Sequence, residues 1–498
     1  MKRFPLYIYI IGVLLAMVSS CDDYDSWTAD PHAQLTFGRD TVSFDTLIST
    51  VSSSTQRLLV YNHNKSGVRI SDVRLKHAGQ SPFRVNVDGQ FLHGGQGTDF
   101  EVRKNDSIFV LVEVTLPDTD TDTVAMHTDS LCFTLQSGTV QYVTLMAGGQ
   151  NAFHWRGVRV IDRDSTLQSR RPVVIYDSLY VSSGATLTVA AGTKLYFHQH
   201  ASMCVDGTLV VNGTLEEPVV FRGDRTGNLF DYLPYDNTPQ QWGGVYLNGS
   251  GHKLTYLDLH SSTFGIKAED TDIELANCVI HNTGGNALWA KNCRVRAYNT
   301  QISNAFGNLY QMIGGETEMT FCTLAQFYNF DANRGWALNL SDYDVEYGDT
   351  MFYNVSRAYF TNCIITGYGE DVISGSFIKE SKFQDSVQYH FQRCFLNTVY
   401  SDGDSVRFVR NIYENPEDTM SYGRQFLLFD TYARLYDFTP DTLAHFCDSA
   451  DAYWAEEFPL DRLGRSREAD GRADIGAYEN IQRLSKGEAE GKEEKVCR

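Results

Sequence analysis

Three consecutive segments between Gly265 and Leu324 align at a constant offset of 22 residues, and this repeat constrains the fold more than any other feature. Ile273, Val295 and Thr317 occupy equivalent positions in the three segments. Within each segment, apolar or small residues alternate with polar ones, which is the period of a β-strand. A strand that recurs at this interval cannot bury its apolar face alone, so successive copies must stack at the ~4.8 Å spacing of paired strands. The repeat therefore predicts a parallel β-helix.

Helical repeats of similar length are disfavoured by composition. Asn, Thr, Gly and β-branched residues dominate the repeat, and no segment carries an apolar stripe at helical spacing. Asn277 and Asn299 are again 22 residues apart, which predicts a ladder of stacked asparagines.

The overall charge argues against one class of partner. The chain has 62 acidic and 42 basic residues, a formal net charge of −20. This charge repels phosphate backbones, so we expect no nucleic-acid partner. Hydrophobic residues make up 42% of the chain, enough to form a sizeable core.

The N-terminus predicts export. Residues 1–20 begin with Lys2 and Arg3, continue with the apolar run Leu6–Val18 and end in small residues, as a secretory signal does. The apolar run has 13 residues, too few to span a bilayer. The sequence from Val18 to Cys21 resembles the lipobox of bacterial lipoproteins, which implies a lipid on Cys21. The acidic CDDYD that follows resembles the signal that sends such lipoproteins to the outer face of the outer membrane.

The cysteines are predicted to be packing residues. The chain has ten, and nine remain when Cys21 is set aside. Cys278, Cys322, Cys363 and Cys394 lie in strand-like segments, where a small apolar side chain would stack in the interior. No CxxC or Cys/His spacing indicates zinc. We therefore expect most of them to be buried free thiols.

The whole chain is predicted to divide into five parts. Residues 1–20 form the signal and residues 21–30 a tether. Residues 31–152 carry six or seven alternating segments bounded by turn residues, which predicts an immunoglobulin-like β-sandwich. Residues 153–482 form the β-helix with its closing coils, and residues 483–498 a charged, disordered tail. Within the β-helix, residues 225–242 (the first loop) and 331–349 (the second loop) interrupt the rhythm.

A family resemblance follows from several of these motifs together. The lipobox, the AGGQNA that closes the sandwich, the coils GTLVVNGTLEEPVVFRGDR and the final ADIGAYE resemble right-handed parallel β-helix lipoproteins of the pectate-lyase-like superfamily from Gram-negative gut anaerobes. The resemblance covers most of residues 18–480. It implies a right-handed solenoid with three sheets and a cell-surface location. It implies no reaction, because this scaffold carries enzymes, adhesins and proteins of other roles.

Catalytic candidates are few. The coils carry neither the paired aspartates of a polygalacturonase nor the arginine motif of a pectate lyase. His260 and His281 recur 21 residues apart, so their rings could stack and serve as acid and base. Lys267 and Arg296 lie in neighbouring coils and are weaker candidates. The alternative is that these are turn histidines bonded to their neighbours.

Binding candidates lie in the two loops. Tyr232, Tyr235, Trp242 and Trp336 are rings that can stack on sugars, or alternatively fold back as a cover over the core. Asp342, Asp344 and Glu346 alternate in the second loop and could bind Ca²⁺, although a solvated strand has the same pattern. The run DTDTDT from Asp118 offers a second such pattern.

These observations favour a lipid-anchored surface protein that recognises glycans or mediates adhesion, with the membrane and polysaccharide as partners. One alternative is a polysaccharide lyase or glycoside hydrolase with an unrecognised site. The other is a structural or protein-docking subunit. The sequence leaves open whether the protein is an enzyme.

Overall fold

The computed structural model describes residues 26–230, 232–379, 381, 383, 386–399, 404–415, 425–469 and 471–480. The protein is nearly all β, with 51% strand and 4% helix, as the sequence predicts. It forms two compact units. The first unit comprises the chain up to Pro117 together with Ala125–Gly149. The second comprises Asp118–Val124 and the chain from Gln150 onwards. In the described part of the chain, no helix has the length and apolar character needed to cross a membrane.

The first unit is a sandwich of two mainly antiparallel sheets around one apolar core. Its strands alternate in burial, as in Ser107–Val114, where Ile108, Val110 and Val112 point inward. One sheet comprises Trp27–Thr28, Gly67–Leu75, Ala125–Leu135, Val140–Gln150 and Thr41–Ile48, with Gln96–Val102 paired to Gly67–Leu75. The other comprises Thr36–Phe37, Gln56–Tyr61, Ser107–Val114, Phe83–Val87 and Gln90–Phe91. Two short 3₁₀ helices, Ala78–Gln80 and His93–Gly95, join strands of this unit.

The predicted tether is partly wrong. Trp27–Thr28 pairs with Gly67 and Val68, so this part of residues 21–30 belongs to the sandwich. The Trp27 ring packs over Gly67, where a Cβ would lie only 2.6 Å from it. The ring also lies 4.7 Å from the guanidinium of Arg69. A tether prediction from polarity alone could not anticipate this docking.

The second unit is a parallel β-helix whose coils contribute one strand to each of three long sheets. Sheet I comprises Phe153–Trp155, Val173–Ile175, Lys194–Phe197, Val219–Gly223, Leu257–His260, Val279–Thr283, Gln301–Ala305, Thr323–Gln326, Ile364–Gly367, Phe395–Leu396 and Ile412–Tyr413. Sheet II comprises Arg159–Ile161, Ser178–Val181, Ser202–Val205, Gly244–Leu247, Ile266–Glu269, Leu288–Lys291, Tyr310–Ile313, Leu338–Ser341 and Ile373–Ser376. Sheet III comprises Ser165–Leu167, Thr186–Ala190, Thr208–Asn212, His252–Thr255, Asp272–Ala276, Arg294–Tyr298, Gly315–Thr320, Val355–Thr361, Tyr389–Gln392 and Phe408–Val409.

The 22-residue repeat sets the register of these sheets. Ile273 pairs with Val295 and Val295 with Thr317, all pointing into the core. The predicted interior thiols are also confirmed. All eight described cysteines are free and seven are buried, with Cys278, Cys322, Cys363 and Cys394 fully inaccessible. Cys21 lies outside the described residues.

Asparagines turn the corner from sheet III to sheet I. Asn277, Asn299 and Asn362 have φ values of 55°, 49° and 52°, a left-handed conformation that Asn tolerates better than most residues. The Asn299 side-chain amide donates to Oδ1 of Asn277 over 3.2 Å, which confirms the predicted ladder.

The second predicted loop is shorter than expected. Leu338–Ser341 is a strand of sheet II because Leu338 and Leu340 alternate inward. A hairpin of Tyr343–Glu346 and Asp349–Phe352 follows it. The first loop carries two short strands, Asn228–Phe230 and Leu233–Pro234, and the 3₁₀ turn Tyr235–Asn237.

The C-terminal segment covers part of the outward face of sheet I. It contains the hairpin Phe426–Asp430 and Leu435–Pro440 and the helix Ala452–Glu457. Its apolar side chains form a second core with the outward residues of the last coils. Ile364 belongs to this second core, whereas its neighbour Ile365 belongs to the interior of the β-helix.

Candidate functional site

The two candidate histidines lie side by side on the outward face of sheet I. His260 pairs with His281 across neighbouring strands. Their ring centroids are 4.8 Å apart and the ring planes are inclined by 29°. Because parallel strands place equivalent residues one strand spacing apart, the sequence interval of 21 residues is enough to bring the rings together.

Two carboxylates converge on these rings. Oδ1 of Asp258 lies 2.9 Å from Nδ1 of His260 and 3.5 Å from Nε2 of His281. Oδ1 of Asp236 lies 3.7 Å from Nε2 of His260, and Arg222 forms an ion pair with the same carboxylate. The His260 side chain is 6% exposed, whereas those of Asp258 and Asp236 are 34% and 45% exposed. The cluster is therefore closed on the histidine side and open to solvent at the carboxylates.

The first loop is fastened over this cluster by polar contacts. The Ser261 hydroxyl donates to the carbonyl of Asp236 over 2.7 Å. The Asn282 amide donates to the same carbonyl over 3.2 Å and lies 2.9 Å from Nδ1 of His281. Nε1 of Trp242 donates to the backbone carbonyl of His260 over 2.9 Å. These bonds hold Asp236, a residue of the first loop, beside Asp258 and His260 of sheet I.

The cluster separates the protonation states of the two histidines. Burial lowers the pKa of His260, but the carboxylates of Asp258 and Asp236 outweigh it and raise the pKa to about 9. Burial also lowers the pKa of His281, and hydrogen bonding to the Asp258 carboxylate does not offset it. Burial raises the pKa of both carboxyls, but His260 and its neighbours lower the pKa of Asp258 and Asp236 below the usual value. At neutral pH a charged His260 thus lies between two carboxylates, beside a neutral His281.

The other two catalytic candidates lie elsewhere. Lys267 is on sheet II, 3.3 Å from Glu269 and 4.7 Å from the centre of the Trp289 ring. Arg296 is on sheet III, 3.6 Å from Glu318. The structure does not bring either residue to the histidines. Each coil contributes one strand to each of the three sheets, so residues of neighbouring coils can lie on different faces of the β-helix.

The calcium candidates already have other partners. Asp342 is fully buried and accepts a hydrogen bond from the backbone N–H of Ile378 over 3.1 Å. Glu346 and Asp344 face Nζ of Lys291 at 2.7 and 3.8 Å. In the DTDTDT run, Asp120 and Asp122 form ion pairs with Arg171. Positively charged side chains thus neutralise most of the carboxylates that were considered as candidate Ca²⁺ ligands.

Two of the predicted sugar-binding rings are buried. Trp242 is 1% exposed and stacks on Phe197 at 4.3 Å, and Tyr235 is 6% exposed. They serve the alternative role of covering the core, because the first loop returns to the sheet at both residues. Trp336 is 41% exposed and remains available to a ligand.

The remaining rings of the first loop form an exposed row with a residue from the C-terminal hairpin. Phe230, Tyr232 and Tyr432 are 54%, 40% and 72% exposed. Phe230 and Tyr232 are 5.9 Å apart, and Tyr232 and Tyr432 are 4.8 Å apart, with planes inclined by 15° and 30°. We call these three residues the aromatic ledge. Nδ2 of Asn237 donates to the carbonyl of Arg434 over 3.1 Å and fixes the hairpin turn beside the loop.

Sequence reasoning missed Tyr432 and Asp236. Tyr432 comes from a hairpin 200 residues after Tyr232, and no local pattern links them. Asp236 lies in a loop that was interpreted through its aromatic residues. The histidine interval and the aromatic residues of the first loop were the two signals that pointed to this part of the surface.

Comparisons with known proteins give no assignment. No family model matches this sequence, and no curated protein matches it. Among solved structures, a PapD-like domain of human CEP192 is similar over 25% of this chain and 90% of that chain, with 13% identity and a TM-score of 0.17. A family 123 glycoside hydrolase from Clostridium perfringens is similar over 25% of this chain and 30% of that chain, with 8% identity and a TM-score of 0.18. A protein of unknown function from Porphyromonas gingivalis W83 is similar over 27% of this chain and 59% of that chain, with 17% identity and a TM-score of 0.17. At these TM-scores the similarities carry no argument about function.

Proposed function

We propose that this protein is a cell-surface lipoprotein that binds glycans at the aromatic ledge. The observation that supports this function is the exposed stack of Phe230, Tyr232 and Tyr432. Adjacent exposed rings present apolar area that water solvates poorly. Contiguous exposed apolar patches mark ligand-binding or partner-binding sites more often than polar surface does. Tyr232 and Tyr432 also carry hydroxyl groups that can bind polar ligands at the edge of the stack.

A sugar ring fits these requirements better than a purely apolar ligand. Its C–H face packs on an aromatic ring, while its hydroxyl groups remain in water or bind polar neighbours. The carboxylates of Asp236, in the first loop, and of Asp258, on sheet I, are both partly exposed, so they can accept hydrogen bonds from sugar hydroxyls. We therefore expect neutral or amino sugars to bind better than uronates, which these carboxylates would repel.

The cell-surface location depends on Cys21, which lies outside the described residues. We propose that a lipid on this cysteine anchors the protein in the outer membrane. Replacement by Cys21→Ala should move the protein from the membrane fraction to the soluble fraction. A variant that stays in the membrane fraction would contradict the lipid anchor but not the glycan site.

An enzyme remains the second candidate function, and the histidine–aspartate cluster is the observation that favours it. His260 lies between two carboxylates, an arrangement that can exchange protons with a bound sugar. A lyase or a hydrolase would shorten a polysaccharide, whereas a binding protein would not.

Size-exclusion chromatography separates these functions. The protein is incubated with neutral and acidic polysaccharides, and both chain length and co-elution are followed. The proposal predicts intact chains that co-elute with the protein. Shortened chains would favour the enzyme, and neither result would favour the third possibility, a structural or protein-docking subunit.

A further inference from the structure

One oxygen of Asp258 lies within reach of a nitrogen from each histidine. The two distances are 2.9 Å to Nδ1 of His260 and 3.5 Å to Nε2 of His281. Nitrogen and oxygen ligands of a tetrahedral zinc ion lie ~2.0–2.2 Å from the metal and so about 3.4 Å from one another. One ligand atom from each of the three residues can be chosen so that all lie within 4.8 Å of one another. A small contraction of the cluster would place three protein ligands around one ion.

The far side of His260 supplies a second, independent observation. Its Nε2 is buried and has no hydrogen-bond partner within the described part of the chain. The side chain is 6% exposed, and the nearest acidic oxygen is Oδ1 of Asp236 at 3.7 Å. An imidazole that binds a metal through Nδ1 carries its proton on Nε2, and this N–H donates a hydrogen bond to a carboxylate, a backbone carbonyl or water. Asp236, fixed by its ion pair with Arg222, occupies the place of this outer carboxylate.

The ligand types select the class of metal. Two imidazoles and one carboxylate suit zinc and other divalent transition metals, whereas Ca²⁺ and Mg²⁺ prefer oxygen ligands. Asp258 is 34% exposed, so a fourth position on the ion would face solvent. An ion with three protein ligands and one open position can accept water or a ligand hydroxyl.

We propose that Asp258, His260 and His281 bind one divalent transition-metal ion, such as Zn²⁺, with Asp236 as the outer carboxylate. Asp236 and Asp258 belong to both proposals, but the metal site uses no ring of the aromatic ledge, so loss of glycan binding in a variant of the ledge would leave metal binding unchanged. Binding requires the His281 ring to tilt further from its stacked position on His260 until its Nε2 faces the ion. His281 is 20% exposed, which leaves it less confined than His260.

The test uses the purified full-length protein after removal of metals with a chelator. Zn²⁺ is titrated by calorimetry, and Co²⁺ is added separately because its visible absorption reports the coordination geometry. We expect one ion per chain and a Co²⁺ spectrum typical of four or five ligands. His281→Gln and Asp258→Asn should each weaken binding by about 100-fold or more, and Asp236→Asn by about 10- to 100-fold as a loss outside the ligand set.

The control uses a second histidine–aspartate pair, whose two residues directly follow the strands Lys194–Phe197 and Val219–Gly223 of the same sheet. Nδ1 of His198 lies 2.6 Å from Oδ2 of Asp224, and its side chain is 48% exposed. His198→Gln should bind Zn²⁺ like the wild type. Circular dichroism establishes that each variant is folded. If a variant is not, X-ray absorption of the Zn²⁺-loaded wild type decides, because the proposal predicts two imidazoles and oxygen ligands.

Three results would overturn the proposal. The wild type could bind no stoichiometric Zn²⁺, the folded His281→Gln and Asp258→Asn variants could bind as tightly as the wild type, or the absorption spectrum could lack two imidazoles.

Discussion

The outward faces of sheet I and sheet III come from the same coils but have different surroundings. On sheet III, opposite charges alternate between neighbouring strands, as in Arg294 with Glu316 at 3.1 Å and Arg296 with Glu318 at 3.6 Å. These side chains are 36% to 63% exposed. On sheet I, the first loop and the C-terminal segment cover the surface and bury His260, Phe327 and Ile364.

This difference shows where a repeating coil can acquire a function. An exposed ladder of ion pairs keeps a sheet soluble and contributes little to stability, because water screens each pair. A face covered by loops excludes water, which strengthens charge interactions and shifts pKa values. In this protein the covered face carries the histidine–aspartate cluster and the aromatic ledge, whereas the exposed face carries a charge pattern that any soluble β-helix could use.

The largest expected effect comes from Arg467, a buried arginine that follows the helix Ala452–Glu457 in the chain. Arg467 is 0% exposed, donates to Oε1 of Glu479 over 2.6 Å and to Oδ1 of Asn299 over 2.9 Å, and lies 3.7 Å from the centre of the Phe321 ring. Arg467→Met should lower the free energy of unfolding by about 3–5 kcal/mol, because Glu479 is left buried without its partner. Urea unfolding followed by tryptophan fluorescence measures the change. The double variant with Glu479→Gln should recover part of the loss. An Arg467→Met effect below ~1 kcal/mol would contradict the difference between covered and exposed faces.

The next largest effect on stability is expected from His252, a residue of sheet III whose side chain points into the core of the β-helix. It extends the comparison from the outward faces to the inward face of a sheet. His252 is 1% exposed, and its Nδ1 accepts a hydrogen bond from the backbone N–H of Leu209 over 3.1 Å. Burial lowers its pKa to about 4, the opposite direction from His260, which has carboxylate partners. Between about pH 6.5 and 4, an unfolded histidine binds a proton that the folded protein excludes, so stability falls as the pH falls.

His252→Gln removes the group that binds this proton in the unfolded state, so unfolding of the variant no longer takes up that proton. The wild type should lose up to about 1.4 kcal/mol more stability per pH unit than the variant across that window. At pH 7 the variant should be the less stable protein, since a core side chain has changed. Urea unfolding at pH 7, 6, 5 and 4.5 gives both curves, and parallel curves would show that His252 titrates normally in the folded protein.

The smallest effect is expected on the exposed face of sheet III. Arg296→Met should change the free energy of unfolding by less than about 1 kcal/mol, because the pair with Glu318 is solvent-screened. Added salt should reduce this difference further. A loss comparable to that of Arg467→Met would mean that the charge ladder stabilises the β-helix as strongly as the buried Arg467 does.

Much of the fold was predictable because a β-helix repeats its own register. The interval of 22 residues fixed the pairing of Ile273, Val295 and Thr317, and the same logic placed the cysteines inside and stacked Asn277 on Asn299. The strand Leu338–Ser341 was missed because an excursion on either side hides its alternation.

The candidate site was only partly predictable. The stacked histidines follow from register alone, whereas Asp236 and Tyr432 reach the site through loops whose paths depend on tertiary contacts. The same dependence left two alternatives open for Trp242, and the structure shows it packed on Phe197 instead of facing solvent. Arg467 was not recognised either, because its partner Asn299 lies 168 residues earlier in the chain.

The most direct test of the glycan proposal compares the affinities of the full-length wild type and of a variant without two rings of the aromatic ledge. The ligand is a polysaccharide that co-elutes with the wild type in size-exclusion chromatography. The Tyr232→Ala/Tyr432→Ala variant should bind about tenfold more weakly or worse, since each ring contributes ~0.5–1.5 kcal/mol beyond its buried area. Tyr142→Ala, at a tyrosine that is 60% exposed in the sandwich, is the matched control and should bind like the wild type. If the folded double variant binds as tightly as the wild type, the aromatic ledge is not the glycan site.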